Sequence, residues 1–224
     1  MDYGTLLTDS KWNIIQELAK HNQTPTDLAN KTKTSLANIS QQLRLLEAYG
    51  LVKKERRIST NEPGKPKTLF SLGKEVNHLT FITKQLAVKK ELELDYLQKA
   101  ILKLWLTQKK EDVYFLEKFL ITNEEIPKKC DAIGIVKTTS DKIELLLITK
   151  HIVDIRSKYS NQTITNIEDQ KKEIICWTHT IEEMEEGLAN NNEYFKGLVT
   201  NLQPFLEKDG LINRIIKSKN GKNQ

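Results

Sequence analysis

Cysteine is scarce in this chain of 224 residues. The two cysteines, Cys130 and Cys176, form no CxxC or CxC pair, so the common zinc-binding and redox spacings do not occur. Two isolated thiols are typical of small core residues in a protein of a reducing compartment. We therefore expect a cytoplasmic protein without a disulfide framework.

Long apolar runs and catalytic motifs are lacking as well. No stretch approaches the roughly 20 apolar residues that a membrane-spanning helix needs, and the first residues, MDYGTLLTDSK, have no signal-peptide character. Walker loops, dinucleotide-binding fingerprints and catalytic-triad motifs do not occur. The four histidines stand singly, which favours surface or packing roles over metal binding. We predict no membrane partner, no metal and no cofactor.

Positive charge is concentrated in the N-terminal third. Residues 51–74 hold seven basic and two acidic side chains, whereas residues 76–212 hold 19 basic and 22 acidic ones. A basic module followed by a slightly acidic body predicts a polyanionic partner for the first part only.

One amphipathic helix, predicted over residues 34–49, organises this basic part. Its apolar stripe recurs at three- and four-residue spacing: Leu36, Ile39, Leu43 and Leu46. The opposite face carries small, amide and guanidinium groups, the types that can enter a major groove and contact base edges or phosphates: Ala37, Asn38, Gln41 and Arg44, with Gln42 at its edge. Taken alone, the helix is better interpreted as an ordinary amphipathic helix with a solvated face. Its neighbours favour the DNA-binding interpretation.

Two shorter helices are predicted before it. Residues 8–21 have an apolar face at helical spacing. Thr24, Pro25 and Asp27 then have the spacing of a capping box with proline at the first helical position, which predicts a second helix over residues 25–31. A short helix, a tight turn and a longer helix form the helix-turn-helix arrangement.

A basic β-hairpin is predicted directly after the third helix, over residues 51–72. Residues 51–58 can form one strand, residues 59–66 contain the turn signals Pro63 and Gly64, and residues 67–72 alternate with period two. A hairpin in this place is a wing. Four of its basic side chains are suited to phosphate contact: Arg56, Arg57, Lys65 and Lys67.

The run from Ser35 to Val52, followed by GKPKTLFSL, resembles the winged helix-turn-helix repressors of the ArsR type and their archaeal relatives. The resemblance covers about residues 8–75 and is carried by the pattern S-x-x-x-[IV]-S-x-x-L-x-x-L-x-x-x-G-L-V. It implies that the third helix reads DNA and that the wing contacts the DNA backbone. The residues we assign to DNA binding are Ser35, Asn38, Gln41, Gln42, Arg44, Arg56, Arg57, Lys65 and Lys67. Metal-sensing members carry clustered ligands that this chain lacks, so we expect no metal effector.

Residues 76–110 are predicted to form a helical connector. Apolar residues recur at helical spacing from Val76 to Trp105, with a break near Lys89. Either the helix packs on its own domain, or residues 76–105 form the interface of a homodimer. The ArsR resemblance favours the homodimer, since such repressors bind two half-sites.

The segment 111–218 alternates strands and helices, which predicts a small mixed sheet covered on at least one face. Its predicted strands are 132–136, 142–149 and 172–177, and its predicted helices are 113–121, 181–189 and 193–201. It resembles the small nucleotidyltransferase domains that archaeal winged-helix proteins sometimes carry. Those domains need a Gly-Ser turn for phosphate and two carboxylates one residue apart for magnesium. Here Asp141 and Glu144 are three apart, so they point to opposite faces of a regular strand.

The sequence thus predicts an α+β protein in three parts: a winged helix-turn-helix at residues 1–75, a helical connector at 76–110 and a small α/β domain at 111–218. We expect a transcriptional regulator that binds double-stranded DNA as a homodimer and catalyses nothing. An unidentified effector or protein partner would bind the C-terminal domain. Two alternatives stay open: a nucleotidyltransferase-like enzyme tethered to DNA, and a protein–protein interaction module on a winged helix.

Overall fold

The computed structural model describes residues 6–58, 67–208, 210–212, 214 and 215, and for residues 56–58 it describes the backbone alone. The chain divides into two compact units, Met1–Glu93 and Leu94–Gln224. Both contain helices and strands, so the predicted α+β class is confirmed. The predicted division at residues 75 and 110 stays a prediction, although the segment 76–110 is shared between the two units. No helix in the described ranges is long and apolar enough to cross a membrane.

The described part of the first unit includes three helices followed by two hairpins. Its elements are α1 (Asp9–Lys20), α2 (Pro25–Thr32), α3 (Leu36–Ala48), β1 (Val52–Ile58), β2 (Lys67–Leu72), β3 (His78–Ile82) and β4 (Ala87–Glu91). β1 pairs with β2 and β3 pairs with β4, both antiparallel. The helix-turn-helix and the wing therefore occur where the sequence predicts them.

Most of the apolar stripe of α3 forms the core of this unit. Ile39, Leu43 and Leu46 are at most 1% exposed. They pack with apolar residues of the two preceding helices: Ile14, Leu18 and Leu28. The same burial that stabilises the helix also fixes its orientation, because the opposite face must then point to solvent.

A backbone bridge ties the wing to the helix-turn-helix. The Gln23 N–H donates to the Phe70 carbonyl at 3.0 Å, and the Phe70 N–H donates to the Gln23 carbonyl at 2.8 Å. Phe70 also packs in the core cluster. The second strand of the wing is thus held against the turn that precedes α2.

The prediction of a helix over the first part of residues 76–110 was wrong. Residues 78–82 and 87–91 form a β-hairpin, and the helix of this segment is α4 (Tyr96–Thr107). Apolar residues in runs this short fit helical and strand periods equally well. The β-branched and aromatic content of HLTFI, which favours strands, was the signal that could have decided between them.

The second unit is a five-stranded mixed sheet with helices on its faces. Its other elements in the described ranges include α5 (Lys110–Thr122), α6 (Glu125–Lys129), β5 (Cys130–Thr138), β6 (Lys142–Thr149), α7 (Ile152–Tyr159), β7 (Asn161–Thr165), β8 (Lys171–His179), α8 (Ile181–Ala189), α9 (Glu193–Thr200) and β9 (Gln203–Glu207). The strand order is β7-β8-β6-β5-β9, in which β6 and β8 are parallel and the other neighbours antiparallel. The sequence reasoning missed the short elements α6, α7, β7 and β9.

The central strand β6 is buried on both faces. Leu145 and Leu147 pack in a cluster with α4 and α5, whereas Leu146 and Ile148 pack in a second cluster with α8 and α9. This is why KIELLLIT reads as a nearly continuous apolar run rather than an alternating one.

Both cysteines are core residues of this sheet. Burial raises the pKa of the Cys130 thiol and of the Cys176 thiol to about 12. The thiols are therefore protonated near neutral pH, and they act as small apolar side chains.

Candidate nucleic-acid interface

α3 begins with a side-chain cap. The hydroxyl of Ser35 accepts a hydrogen bond from the backbone N–H of Asn38 at 3.3 Å. This bond satisfies one of the backbone donors that the first turn of a helix leaves without a partner. Ser35, one of the residues assigned to DNA, is exposed, but its hydroxyl oxygen is already occupied in fixing the start of α3.

The predicted amide face of α3 divides into two kinds of residue. Asn38 and Gln42 are half-buried, and the Gln42 Nε2 donates to the Asn38 Oδ1 at 3.1 Å. Gln41 and Arg44 are exposed. Two of the amides assigned to DNA binding therefore bind each other, and the polar side chains that α3 presents to solvent at this face are Gln41 and Arg44.

A cleft of about 450 Å³ lies between α3, the start of α2 and the wing. Its lining includes side chains that the sequence reasoning did not select: Thr26, Leu36, Ser40 and Lys54. Arg44 and Lys67, which were selected, line it too. Lys54 belongs to the same basic run as Arg56, which could have identified it. Leu36 is 50% exposed here, so the apolar stripe of α3 is not wholly part of the core.

Acidic groups offset part of the positive charge in this cleft. Glu47 pairs with Lys54 at 2.7 Å. A hydrogen bond from the Thr24 hydroxyl lowers the pKa of the Asp27 carboxyl. The positive charges of Lys31 and Lys67 lower this pKa further. Asp27 stays ionised in the capping box of α2. The cleft is therefore basic on the side of the wing, and Glu47 places a carboxylate in its lining on the side of α3.

The wing is described in part. Lys67 opens β2 and is exposed. Arg56 and Arg57 lie in β1, next to a register shift between Lys54 and Arg57, but their side chains are outside the described part. Lys65 lies in the segment 59–66, outside the described residues. Of the four wing cations assigned to DNA, the structure thus places the side chain of one.

The three helices and the first three residues of β1 correspond to a known domain. Residues 8–54 match the ArsR family of bacterial regulatory proteins. They carry an ArsR-family helix-turn-helix, and this match supports a DNA-binding transcriptional regulator. A solved structure of a mutant of Lactococcus lactis ZitR is similar, with 24% identity over 55% of this chain and a TM-score of 0.26. The match spans 61% of the length of the ZitR chain. No curated protein matches this sequence.

Downstream of the ArsR-family helix-turn-helix, the two carboxylates considered for magnesium bind different partners. The Asp141 Oδ1 accepts from the Thr139 hydroxyl at 2.8 Å, and the Glu144 Oε2 accepts from the Trp177 Nε1 at 2.9 Å. Both register shifts in this hairpin lie on β5, between Cys130 and Ala132 and between Ile135 and Lys137, so β6 itself is regular.

His179 is the most enclosed of the four histidines. It is 8% exposed, and its ring nitrogens lie 2.9 Å from the Glu183 Oε2 and 2.9 Å from the Tyr194 hydroxyl. Its ring also packs edge-on against Phe195. These contacts join β8, α8 and α9, so His179 has the packing role that the sequence predicts.

Proposed function

We propose that this protein regulates transcription by reading double-stranded DNA with α3 while the wing holds the DNA backbone. Gln41 would hydrogen-bond to an adenine edge, which glutamine can do with two bonds in the major groove. Arg44 would contact either a guanine edge or a phosphate at the mouth of the cleft. The observation that carries this proposal is the exposed pair Gln41 and Arg44 on a helix whose other face is buried.

The other assigned residues have secondary roles in this proposal. Ser35 caps α3, while Asn38 and Gln42 hold each other and thereby limit the movement of the first helical turns. Arg56, Arg57, Lys65 and Lys67 would bind phosphates without selecting a sequence. Lys54 joins this group, because it lines the same cleft as Lys67.

The regulator would act as a homodimer. One ArsR-family helix-turn-helix presents one α3 to DNA, and a dimer with two-fold symmetry presents two, spaced to read two half-sites of an inverted repeat. The segment 76–105 was predicted to form the interface. It carries exposed apolar side chains in the β3–β4 hairpin, Leu79 and Phe81, and on α4, Trp105. Leu106, the next residue of α4, is exposed as well.

We further infer that the second unit is a nucleotidyltransferase-like scaffold, of the archaeal type that the sequence resembles, without nucleotidyl transfer activity. Such transfer needs carboxylates that converge on metal ions, whereas Asp141 and Glu144 are engaged with Thr139 and Trp177. Incubation of the protein with labelled nucleoside triphosphates and magnesium should transfer no label. Transfer that disappears in Asp141→Ala would contradict this inference and favour the enzyme alternative.

A salt titration separates the roles of the wing and of α3. The double variant Lys65→Ala/Lys67→Ala should weaken binding to every DNA sequence by the same factor. It should also reduce the slope of log affinity against log salt concentration by about 0.9 for each phosphate that the variant no longer neutralises. Affinity would be measured by fluorescence anisotropy on one specific and one scrambled duplex.

The matched control is Lys109→Ala/Lys110→Ala, which removes the same charge from two exposed lysines of the second unit. It should leave the salt slope nearly unchanged. A wing variant with the slope of the unaltered protein, or an equal reduction of slope in the control, would contradict the assignment of the wing to phosphate binding.

A further inference from the structure

The β3–β4 hairpin exposes apolar side chains that the first unit does not cover. Leu79, Phe81 and Ile82 are 46%, 49% and 74% exposed, and Val88 on the opposite strand is 40% exposed. Among the described residues, β3 and β4 form a sheet of two strands only. A two-stranded hairpin is marginally stable in water without further packing. The exposed apolar surface therefore indicates a covering partner.

The two edges of this hairpin differ in charge. β4, with the sequence AVKKE, carries Lys89, Lys90 and Glu91, whereas β3, with the sequence HLTFI, carries no lysine, arginine or carboxylate. Charged side chains, lysine above all, keep an edge strand from pairing with another chain. The edge formed by β4 is protected in this way, and the edge formed by β3 is open.

The backbone of the hairpin shows which groups of β3 face outward. The Thr83 N–H donates to the Leu86 carbonyl at 2.8 Å, and the Leu92 N–H donates to the Asn77 carbonyl at 2.7 Å. Hydrogen-bonded and non-hydrogen-bonded pairs alternate along an antiparallel ladder. With Thr80 opposite Lys89, the N–H and C=O of Thr80 and of Ile82 point away from β4.

We propose that β3 pairs antiparallel with β3 of a second copy of this chain, with Thr80 on the two-fold axis. In this register the N–H and C=O of Thr80 bond to the partner subunit's Thr80, and Leu79 lies opposite the partner subunit's Phe81. Threonine pairs and aromatic–aliphatic pairs across strands are both stabilising. The strand HLTFI is thus complementary to itself when reversed, and pairing two of them places no charged side chain opposite a like charge.

This inference rests on the proposed homodimer and specifies its interface. The four-stranded sheet formed by two hairpins removes both open β3 edges and leaves the charged β4 strands outside, so the assembly closes at two copies. Closure of this kind is what a two-fold symmetric interface requires.

Proline substitution tests the backbone pairing. Thr80→Pro removes an outward N–H that the hairpin itself does not use, so it should convert the full-length dimer to a monomer in light scattering at micromolar concentration. Ala87→Pro removes an outward N–H from the protected β4 edge and should leave the dimer intact. Equal circular dichroism spectra of the two variants would show that both are folded.

Cysteine cross-linking tests the register without altering the backbone. In the proposed pairing the two Thr80 Cα atoms lie about 5.5 Å apart, within disulfide range. The two Ile82 Cα atoms are offset by four residues, or about 14 Å along the strands. Thr80→Cys should therefore form a covalent dimer on mild oxidation, and Ile82→Cys, although more exposed, should not. The native Cys130 and Cys176 are buried and do not compete.

The outcomes separate the interface from the homodimer itself. Unaltered protein that is monomeric at micromolar concentration would contradict the homodimer, and with it this interface. A Thr80→Pro variant as dimeric as the unaltered protein, or cross-linking of Ile82→Cys in preference to Thr80→Cys, would contradict the β3 interface and leave the homodimer standing. A Leu106→Glu variant that dissociates such a dimer would then place the contact on α4.

Discussion

Gln41 is the residue on which sequence recognition depends in this account. It is exposed on α3, one residue from Gln42, whose amide is engaged with Asn38. Gln41→Ala should therefore change the preferred base at one position of each half-site. The expected loss of discrimination is about 1–3 kcal/mol if the glutamine makes two hydrogen bonds to adenine. Competition binding with single-base variants of the site measures this loss.

The matched control for Gln41→Ala is Gln16→Ala, which truncates an exposed glutamine on α1. It should leave sequence preference and affinity unchanged. Should Gln41→Ala weaken all sequences equally, the glutamine would be a backbone contact, and base reading would have to come from another residue.

Asp112 and Lys172 form a buried ion pair that should be important for stability. The Lys172 Nζ lies 2.5 Å from the Asp112 Oδ1, both side chains are at most 10% exposed, and the Nζ also donates to the Thr139 carbonyl at 3.0 Å. Asp112→Ala leaves a buried ammonium without its partner, which typically costs about 3–5 kcal/mol. Urea unfolding of the full chain should show this loss.

The exposed pair of Glu124 and Lys128 provides the control. Glu124→Ala should change the unfolding midpoint very little, because solvent screens an exposed pair. If Asp112→Ala is no more destabilising than Glu124→Ala, the buried pair contributes little to the stability of the second unit.

Two glycines show how the contact between α8 and α9 constrains single positions. A Cβ built at Gly187 would lie 2.1 Å from the Phe195 ring, whereas one at Gly197 meets nothing within 4 Å. Gly187→Ala should therefore destabilise the protein by about 1–3 kcal/mol through overpacking. Gly197→Ala should stabilise it by about 0.5–1 kcal/mol, because alanine is the better helix former. Thermal unfolding compares the stability of the two variants. A Gly197→Ala variant less stable than Gly187→Ala would contradict this explanation.

At the level of elements, long patterns with caps were predictable and short ones were not. α2 begins where its capping residues predict, because a cap and an apolar stripe specify the same start. α3 was predicted from residue 34 and begins at Leu36, because Ser35 is the residue that caps it. β6 has the predicted bounds, since a run of buried residues has clear ends. β3 and β4 were mistaken for helix, because their pairing joins residues up to 13 positions apart, such as His78 and Glu91, which a local period does not capture.

The candidate site was predictable in its location but not in its side-chain partners. Spacing alone assigns Asn38, Gln41 and Gln42 to the same face of α3. It does not show that Asn38 and Gln42 bind each other, because that choice depends on rotamers and burial. Residues of the cleft such as Thr26 come from another helix, so only the folded chain brings them to the site.

In the whole molecule, an ArsR-family helix-turn-helix is followed along the chain by a second unit built on a mixed sheet. The basic surface belongs to residues 51–74, and the body beyond residue 76 is slightly acidic over most of its length. Such a distribution favours binding to DNA through one end, because the acidic body is repelled by phosphate. The effector or partner of the second unit stays a prediction.

Selection of binding sites from random double-stranded DNA with the purified full chain tests the central claim most directly. A dimeric regulator that reads bases through α3 should enrich an inverted repeat, with half-site centres about one helical turn of 10–10.5 base pairs apart, or a multiple of it. The same selection with Gln41→Ala should enrich a repeat of the same spacing with a changed base in each half-site. Enrichment of no sequence over the starting pool, by a protein that still binds DNA at low salt, would contradict the claim.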